Sequence, residues 1–166
     1  MDDYKKLADL IFPDIKKSVA DYEKEYPERN LKEGAKVTRY APSPTGFMHI
    51  GNFYSSVINY VLAKQSGGVF FLRNEDTDSS RELSGAVEYI RHVEHYHINP
   101  DEYEYRDINK QAGNYGPYIQ SERKDIYHAF IKELVSQGKA YPCFLTQEEM
   151  DEIKKSAEEA VKEAEQ

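Results

Sequence analysis

Lys36-Val37-Thr38-Arg39-Tyr40 is a short strand-like run that breaks into Ala41-Pro42-Ser43-Pro44-Thr45-Gly46, where two prolines and a glycine impose an extended loop. Beyond it Phe53, Tyr54, Val57, Ile58, Val61 and Leu62 recur at helical spacing with a wide apolar stripe, and Gly67-Gly68 ends the helix. Val69-Phe70-Phe71-Leu72 then forms the continuous apolar run of a strand covered on both faces. Strand, loop, helix and strand in this order predict a βαβ unit, and therefore an α/β fold built on a parallel sheet flanked by helices.

Outward from this unit the patterns are weaker. Upstream, two helical stretches, around Leu7 to Phe12 and around Ile15 to Tyr22, each close at a proline, Pro13 and Pro27, and read as a helical N-terminal extension over residues 1–35. Downstream, Leu83, Val87, Ile90 and Val93 predict a helix ending before Asn99-Pro100. Residues 101–118, rich in Tyr, Asp, Asn and Gly, read as a long connection rather than strand. A helix follows from Ser121, its expected N-cap, through Ile126, Phe130 and Leu134 to Gly138. Ala140 to Phe144 is a candidate edge strand, which closes a unit over 36–145. Thr146 and Glu149 make a capping box for a last helix over 146–166 that carries eight acidic and three basic residues and ends without a stop signal, as a truncated helix would.

Composition narrows the functional classes. The 166 residues carry a formal charge of -8, so the chain as a whole does not attract phosphate backbones, and any nucleic-acid contact must be local. Its single cysteine, Cys143, excludes an intrachain disulfide framework and a cysteine-based zinc cage, and the lone thiol is expected to be a small buried hydrophobe. No run approaches the ~20 apolar residues of a membrane span, and the charged N-terminus leads into no signal-peptide core, which predicts a cytoplasmic protein with no membrane contact. His92 and His95 share a helix face without an evident third ligand, and His128 is expected at the surface. The fourteen tyrosines are too scattered for a base-stacking platform and read as half-buried packing residues.

Chemistry is expected where β-strands end. Arg39 to Asn52 leaves the carboxyl end of one strand and enters a helix N-terminus, whose unpaired N–H groups stabilise an anion such as a triphosphate. His49 can donate to a phosphate oxygen, and Gly51 admits close approach of a nucleotide; the same spacing equally fits a Pro-rich loop whose histidine merely caps the helix. Arg73-Asn74-Glu75-Asp76-Thr77-Asp78 leaves the second strand at the same sheet edge. A carboxylate there and Arg39 opposite suit a zwitterion, although the cluster alone also reads as a solvated acidic turn.

Arg39 to Asn52 resembles the first signature region of glutamyl-tRNA synthetases, a class I aminoacyl-tRNA synthetase family, which reads approximately R-F-A-P-S-P-T-G-x-x-H-I-G-G. Arg73 to Arg81 is similar to that family's R-I-E-D-T-D-x-x-R, Gln120 to Arg123 to its Q-S-x-R, and Ala140 to Phe144 to the short strand that follows. The extension over residues 1–35 looks like one found in a bacterial subset. The resemblance implies a partial Rossmann-like fold and ATP-dependent activation of glutamate to glutamyl-adenylate, followed by transfer to the 3′ end of tRNA(Glu). It implies roles for Arg39, Ala41, Ser43 and Glu75 in holding glutamate, with Arg39 towards the side-chain carboxylate and Glu75 towards the ammonium. Thr45, Gly46, His49, Gly51 and Asn52 fall in the ATP-binding signature, with His49 as the catalytic residue, and Thr77 and Asp78 on a turn near the tRNA acceptor end. ATP with Mg2+ enters as substrate, no zinc is expected because Leu145 stands where some relatives have a second cysteine, and no obligate protein partner is evident.

Glutaminyl enzymes carry a loop closer to R-F-P-P-E-P-N-G, so Ala41, Ser43 and Thr45 favour glutamate. Asn52 and Asn74 depart from the family pattern, Asn74 by placing a polar group at a strand end. The Lys-rich second signature and the tRNA-binding domains of the family lie downstream of these residues, so the chain reads as the N-terminal half of a catalytic domain reaching into the connective insertion, inactive alone. A shortened paralogue that activates glutamate for another acceptor, and a stand-alone nucleotide- or amino-acid-binding module, are the alternatives.

Overall fold

The computed structural model describes residues 2–43, 49–77 and 91–164. Its centre is the expected βαβ unit. Strands β1 (Val37–Tyr40) and β2 (Val69–Leu72) pair in parallel, with Val37 opposite Val69 and Tyr40 opposite Leu72. Helix α3 (Ile50–Ser66) connects them and stops at Gly67, whose φ of 68° is the left-handed conformation that glycine adopts without a Cβ penalty.

The core lies between sheet and helix: Tyr40, Ala63, Phe70, Leu72, Val93, Ile98 and Tyr105 are buried together, with Phe53, Val57 and Tyr60 packed against them. The buried line on α3 is narrower than the sequence pattern predicts. Tyr54, Ile58, Val61 and Leu62 are exposed, and the buried row is Phe53, Ser56, Val57, Tyr60 and Ala63. Four tyrosines, Tyr22, Tyr40, Tyr105 and Tyr118, are buried outright, while Tyr26, Tyr60, Tyr103, Tyr115 and Tyr127 are half-buried. Burial raises the pKa of Tyr40 to about 12, and its hydroxyl is buried without a hydrogen-bond partner. Such an orphan costs the desolvation of a hydroxyl with no return, so Tyr40→Phe is expected to stabilise the chain by about 1 kcal/mol, read as an upward shift of the urea midpoint. A lower midpoint would mean that the hydroxyl has a partner.

Residues 101–118 contain a hairpin instead of an unstructured connection. Strands β3 (Tyr103–Tyr105) and β4 (Lys110–Ala112) pair antiparallel, and Asn109 turns the chain at φ 50°. Along β3 only Tyr105 is buried against the core, while Tyr103 and Glu104 are half-buried. Two single parallel bridges, Phe71 with Glu102 and Asn74 with Ile119, continue the sheet beyond β2.

The N-terminal helices are shifted from their expected limits. Helix α1 spans Asp2–Ile11, and α2 spans Val19–Glu25 because Ser18 and Asp21 form a capping box that sets its start. Both pack on α4 (Lys124–Ser136): Lys132 donates to the Phe12 carbonyl at 3.1 Å, and His128 is half-buried with its ring 5.2 Å from that of Phe12. Ser121 does not cap α4. It lies in a 3₁₀ turn, Gln120–Arg123, and the cap position falls at Arg123 without a side-chain bond.

The predicted helix before Asn99 lies largely outside the described residues; its described end is a 3₁₀ turn, His92–Tyr96, with Val93 buried and His97 in the left-handed region. There the His92 and His95 rings stack at 5.1 Å, and among the described residues no group of three candidate metal ligands occurs. Ala140 to Phe144 forms no strand, and with no sheet to enter Cys143 is exposed, contrary to its expected burial. The Thr146–Glu149 capping box is made, at 2.7 and 3.2 Å, and starts α5 (Gln147–Ala164). Among the described residues no helix is long and apolar enough to cross a membrane.

Candidate active site

Parallel pairing places the carboxyl ends of β1 and β2 at one edge, and the two loops that leave them meet there. Arg73 N–H donates to the Tyr40 carbonyl at 2.9 Å and Glu75 N–H to the Pro42 carbonyl at 3.0 Å, so the second loop is hydrogen-bonded along the first. Arg39 and Glu75, which the sequence assigns to opposite ends of a zwitterion, come within 3.6 Å of each other. Arg73 lies closer still, 2.6 Å from the same Glu75 oxygen, and was not singled out as a site residue from sequence. Register explains it: Arg39 is opposite Phe71, and Arg73, just past the end of β2, follows Phe71 by two positions. Two guanidiniums therefore share one carboxylate. Arg39 keeps 43% of its side-chain surface exposed and Glu75 29%, which leaves the pair accessible to a ligand with matching charges.

Ala41 is half-buried and Ser43 exposed beside them, whereas Thr45 and Gly46 lie outside the described residues, as does Asp78. Across the edge, α3 begins at His49. The backbone N–H of Gly51 donates to His49 Nδ1 at 3.1 Å, so the histidine caps the helix. An accepting Nδ1 carries no proton, and the neutral ring is therefore protonated on Nε2, which can donate to an anion. The capping reading and the donor reading are compatible in one side chain. A Cβ on Gly51 would sit 3.0 Å from His49 Cε1, so this glycine first of all makes room for the histidine's own ring. Asn52 is half-buried, with its N–H on the His49 carbonyl at 3.0 Å.

The turn after Glu75 is pinned by Asp76, whose carboxylate accepts from the Ser121 N–H at 2.9 Å and from its hydroxyl at 2.7 Å. Exposed Thr77 lies at the mouth of an open cleft with Lys124, Tyr127, His128 and Ile131 on its far wall. Asn74 pairs through its backbone with Tyr118 and Gln120, both at 2.9 Å, while its side-chain oxygen is buried without a partner, the polar cost expected of its departure from the family pattern.

A charged pair beside a capped helix N-terminus, at the carboxyl edge of a parallel sheet, stands where α/β folds bind their ligands, and comparison with known proteins gives the class. Residues 36–166 match the family of class I tRNA synthetases for E and Q, catalytic domain, and the chain belongs to that family. It is 55% identical over 155 residues to the glutamate–tRNA ligase of Acetivibrio thermocellus, covering 92% of this chain and 28% of that protein. The glutamate–tRNA ligase of Clostridium perfringens strain 13 is 52% identical over 152 residues, with 91% and 28% covered. Both matches are too long to be confined to residues 36–166 and reach into the N-terminal extension. Among solved structures, the glutamate–tRNA synthetase of Elizabethkingia anophelis superposes with a TM-score of 0.66 at 40% identity, over 76% of this chain and 25% of that one. A glutamate–tRNA ligase from Elizabethkingia meningosepticum, solved in complex with its amino acid, gives 0.65 at 40% identity over 78% and 25%. The chain thus spans little more than a quarter of the length of the relatives it matches.

Proposed function

We propose that residues 36–145 form the N-terminal half of a catalytic domain that activates glutamate with ATP and Mg2+ and delivers it to tRNA(Glu) in the cytoplasm, with 1–35 as an extension docked on it and 146–166 as the start of a following segment. The observation that supports this most is the convergence of Arg39 and Glu75 at the sheet edge that faces the N-terminus of α3. Glutamate carries one carboxylate more than the α-amino-acid zwitterion, and the two guanidiniums of Arg39 and Arg73 around one acid leave a positive charge to receive it. Arg39 holds the side-chain carboxylate, and Glu75 exchanges its contact with Arg39 for the substrate ammonium. Ala41 and Ser43 line the same loop. The free α-carboxylate then attacks the α-phosphorus of ATP, the new P–O bond forming as pyrophosphate leaves, a displacement that needs orientation and charge stabilisation rather than a protein nucleophile.

Thr45, Gly46, His49, Gly51 and Asn52 are assigned to ATP. There His49 Nε2–H donates to a phosphate oxygen, and the positive end of the α3 dipole favours the triphosphate's charge. Thr77 and Asp78 are assigned to the incoming tRNA 3′ end.

Glutamate-dependent exchange of pyrophosphate into ATP, measured on the complete synthetase that carries this segment, tests the reading. His49→Ala is expected to lower the exchange rate at least about tenfold, and His49→Asn, which retains a capping acceptor, is expected to be equally slow. Unchanged exchange in the alanine variant would remove His49 from the mechanism. Recovery by asparagine would reduce the histidine to a helix cap.

A further inference from the structure

The sheet position beside β2 is not filled by a strand. It is filled by two separate segments: Glu102, whose carbonyl accepts from the Leu72 N–H at 2.9 Å, and Tyr118 to Gln120, which brackets Asn74 with hydrogen bonds at 2.9 Å on either side. Asn74 is the neighbour of Glu75, so the second segment sets where that carboxylate emerges. The Tyr118 hydroxyl ties the two segments together by donating to Glu102 Oε2 at 2.8 Å, between residues exposed by 5% and 7%. The same hydroxyl accepts from the Tyr115 N–H at 2.9 Å, and the Glu104 carboxylate accepts from the Tyr118 N–H at 3.2 Å.

A buried carboxylate in this position requires a cation. Arg29 supplies it from outside the βαβ unit, between α2 and β1. Its guanidinium forks onto both Glu102 oxygens, the NH2 contact at 2.6 Å, and lies over the Tyr115 ring with 3.7 Å to the centroid. Tyr115 in turn donates its hydroxyl to the Pro27 carbonyl at 2.8 Å, so both walls of the clamp belong to the N-terminal extension and the hairpin region together. No other cation is paired with Glu102 among the described residues.

We infer that Arg29 is a positioning residue for the amino-acid site: by neutralising Glu102 it keeps the Glu102–Tyr118 bond intact and thereby holds the segment that aligns Asn74 and Glu75. The inference rests on the reading of Glu75 as the ammonium partner. It gives the N-terminal extension a part in substrate binding, since loss of Arg29 leaves an uncompensated buried charge that draws water or moves the Glu102 side chain away from Tyr118. The ATP side of the cleft, built on α3, shares none of these contacts and is unaffected.

The test compares Arg29→Met, Arg29→Lys and the double variant Arg29→Met/Glu102→Gln in the complete synthetase, with KM for glutamate and for ATP from pyrophosphate exchange and amide exchange of peptides covering 71–76 and 116–122. Arg29→Met is expected to raise the glutamate KM about tenfold with the ATP KM within about twofold, and to speed amide exchange in both peptides; Arg29→Lys, which keeps the charge without the fork, falls between. Glu102→Gln removes the charge while its amide oxygen still accepts from Tyr118, so the double variant is expected to regain the original glutamate KM and amide protection. An unchanged glutamate KM in Arg29→Met, equal changes for both substrates, or a double variant as impaired as the single one overturns the inference. Glu75→Gln, run alongside, tests the underlying reading by itself: if it leaves the glutamate KM unchanged, Glu75 is not the ammonium partner, whereas the amide exchange of Arg29→Met still reports whether the clamp holds Asn74.

Discussion

Arg39→Ala is expected to reduce glutamate activation by about 2–3 kcal/mol in kcat/KM, or roughly 30- to 150-fold, while activation of glutamine falls much less. The magnitude follows from the charge pair that glutamate forms and glutamine cannot. It belongs in the lower part of the range for such contacts because Arg39 retains 43% of its side-chain surface exposed. Selectivity follows from the second guanidinium. Removing Arg39 leaves Glu75 in contact with Arg73 at 2.6 Å and hydrogen-bonded through its N–H to the Pro42 carbonyl, so the ammonium end of the site survives and only the carboxylate end is lost. Pyrophosphate exchange with each amino acid at saturating ATP measures both. Equal losses for the two amino acids would make Arg39 a scaffold residue that merely holds Glu75, and the preference for glutamate would then have to come from Ala41, Ser43 and Thr45.

How far the site could be read in advance depended on whether its contacts are local in sequence. The β1–α3–β2 unit was legible because each of its parts carries its own signal: an apolar run for β2, helical spacing for α3, and glycines at the turn between them. Parallel pairing then brings Arg39 and Glu75 together without further information. The hairpin over 103–112 was not legible in the same way, because three-residue strands leave too short an alternation to rise above a polar, Tyr-rich background. Cys143 was misplaced for a related reason: its apolar neighbours Tyr141, Phe144 and Leu145 look like a buried strand but remain exposed. The Arg29–Glu102 pair joins residues 73 positions apart, and nothing in either neighbourhood marks the partner. Charge alone would have placed both at the surface. Ser121 shows the converse. Its residue type suits an N-cap, but Asp76 takes both its N–H and its hydroxyl, and a tertiary bond thus overrides a local preference.

The register that aligns Arg39 with Phe71 depends on a glycine that makes no unusual turn. Gly68 enters β2 directly behind the left-handed Gly67, and the Val69 N–H donates to the Lys36 carbonyl at 3.0 Å. A Cβ at position 68 would overlap that carbonyl oxygen and lie 2.7 Å from both the carbon and the nitrogen of Lys36. These are backbone atoms, so no rotamer change relieves the overlap; the start of β1 must move, and with it the hydrogen bond that opens the sheet. Gly68→Ala is therefore expected to destabilise the chain by about 3 kcal/mol, the upper part of the range for overpacking a site that cannot yield. Gly34→Ala is the control. Its φ of 80° is strained for alanine, but nothing lies within 4 Å of the added Cβ, so only the conformational penalty applies, about 1 kcal/mol. Urea denaturation of the two variants separates the effects, since a steric block at the sheet entrance predicts a loss about three times that of a strained turn in open space. Equal losses would show that β1 and β2 part easily at Lys36, and that the alignment of Arg39 is held further along, by the bond from Arg73 N–H to the Tyr40 carbonyl.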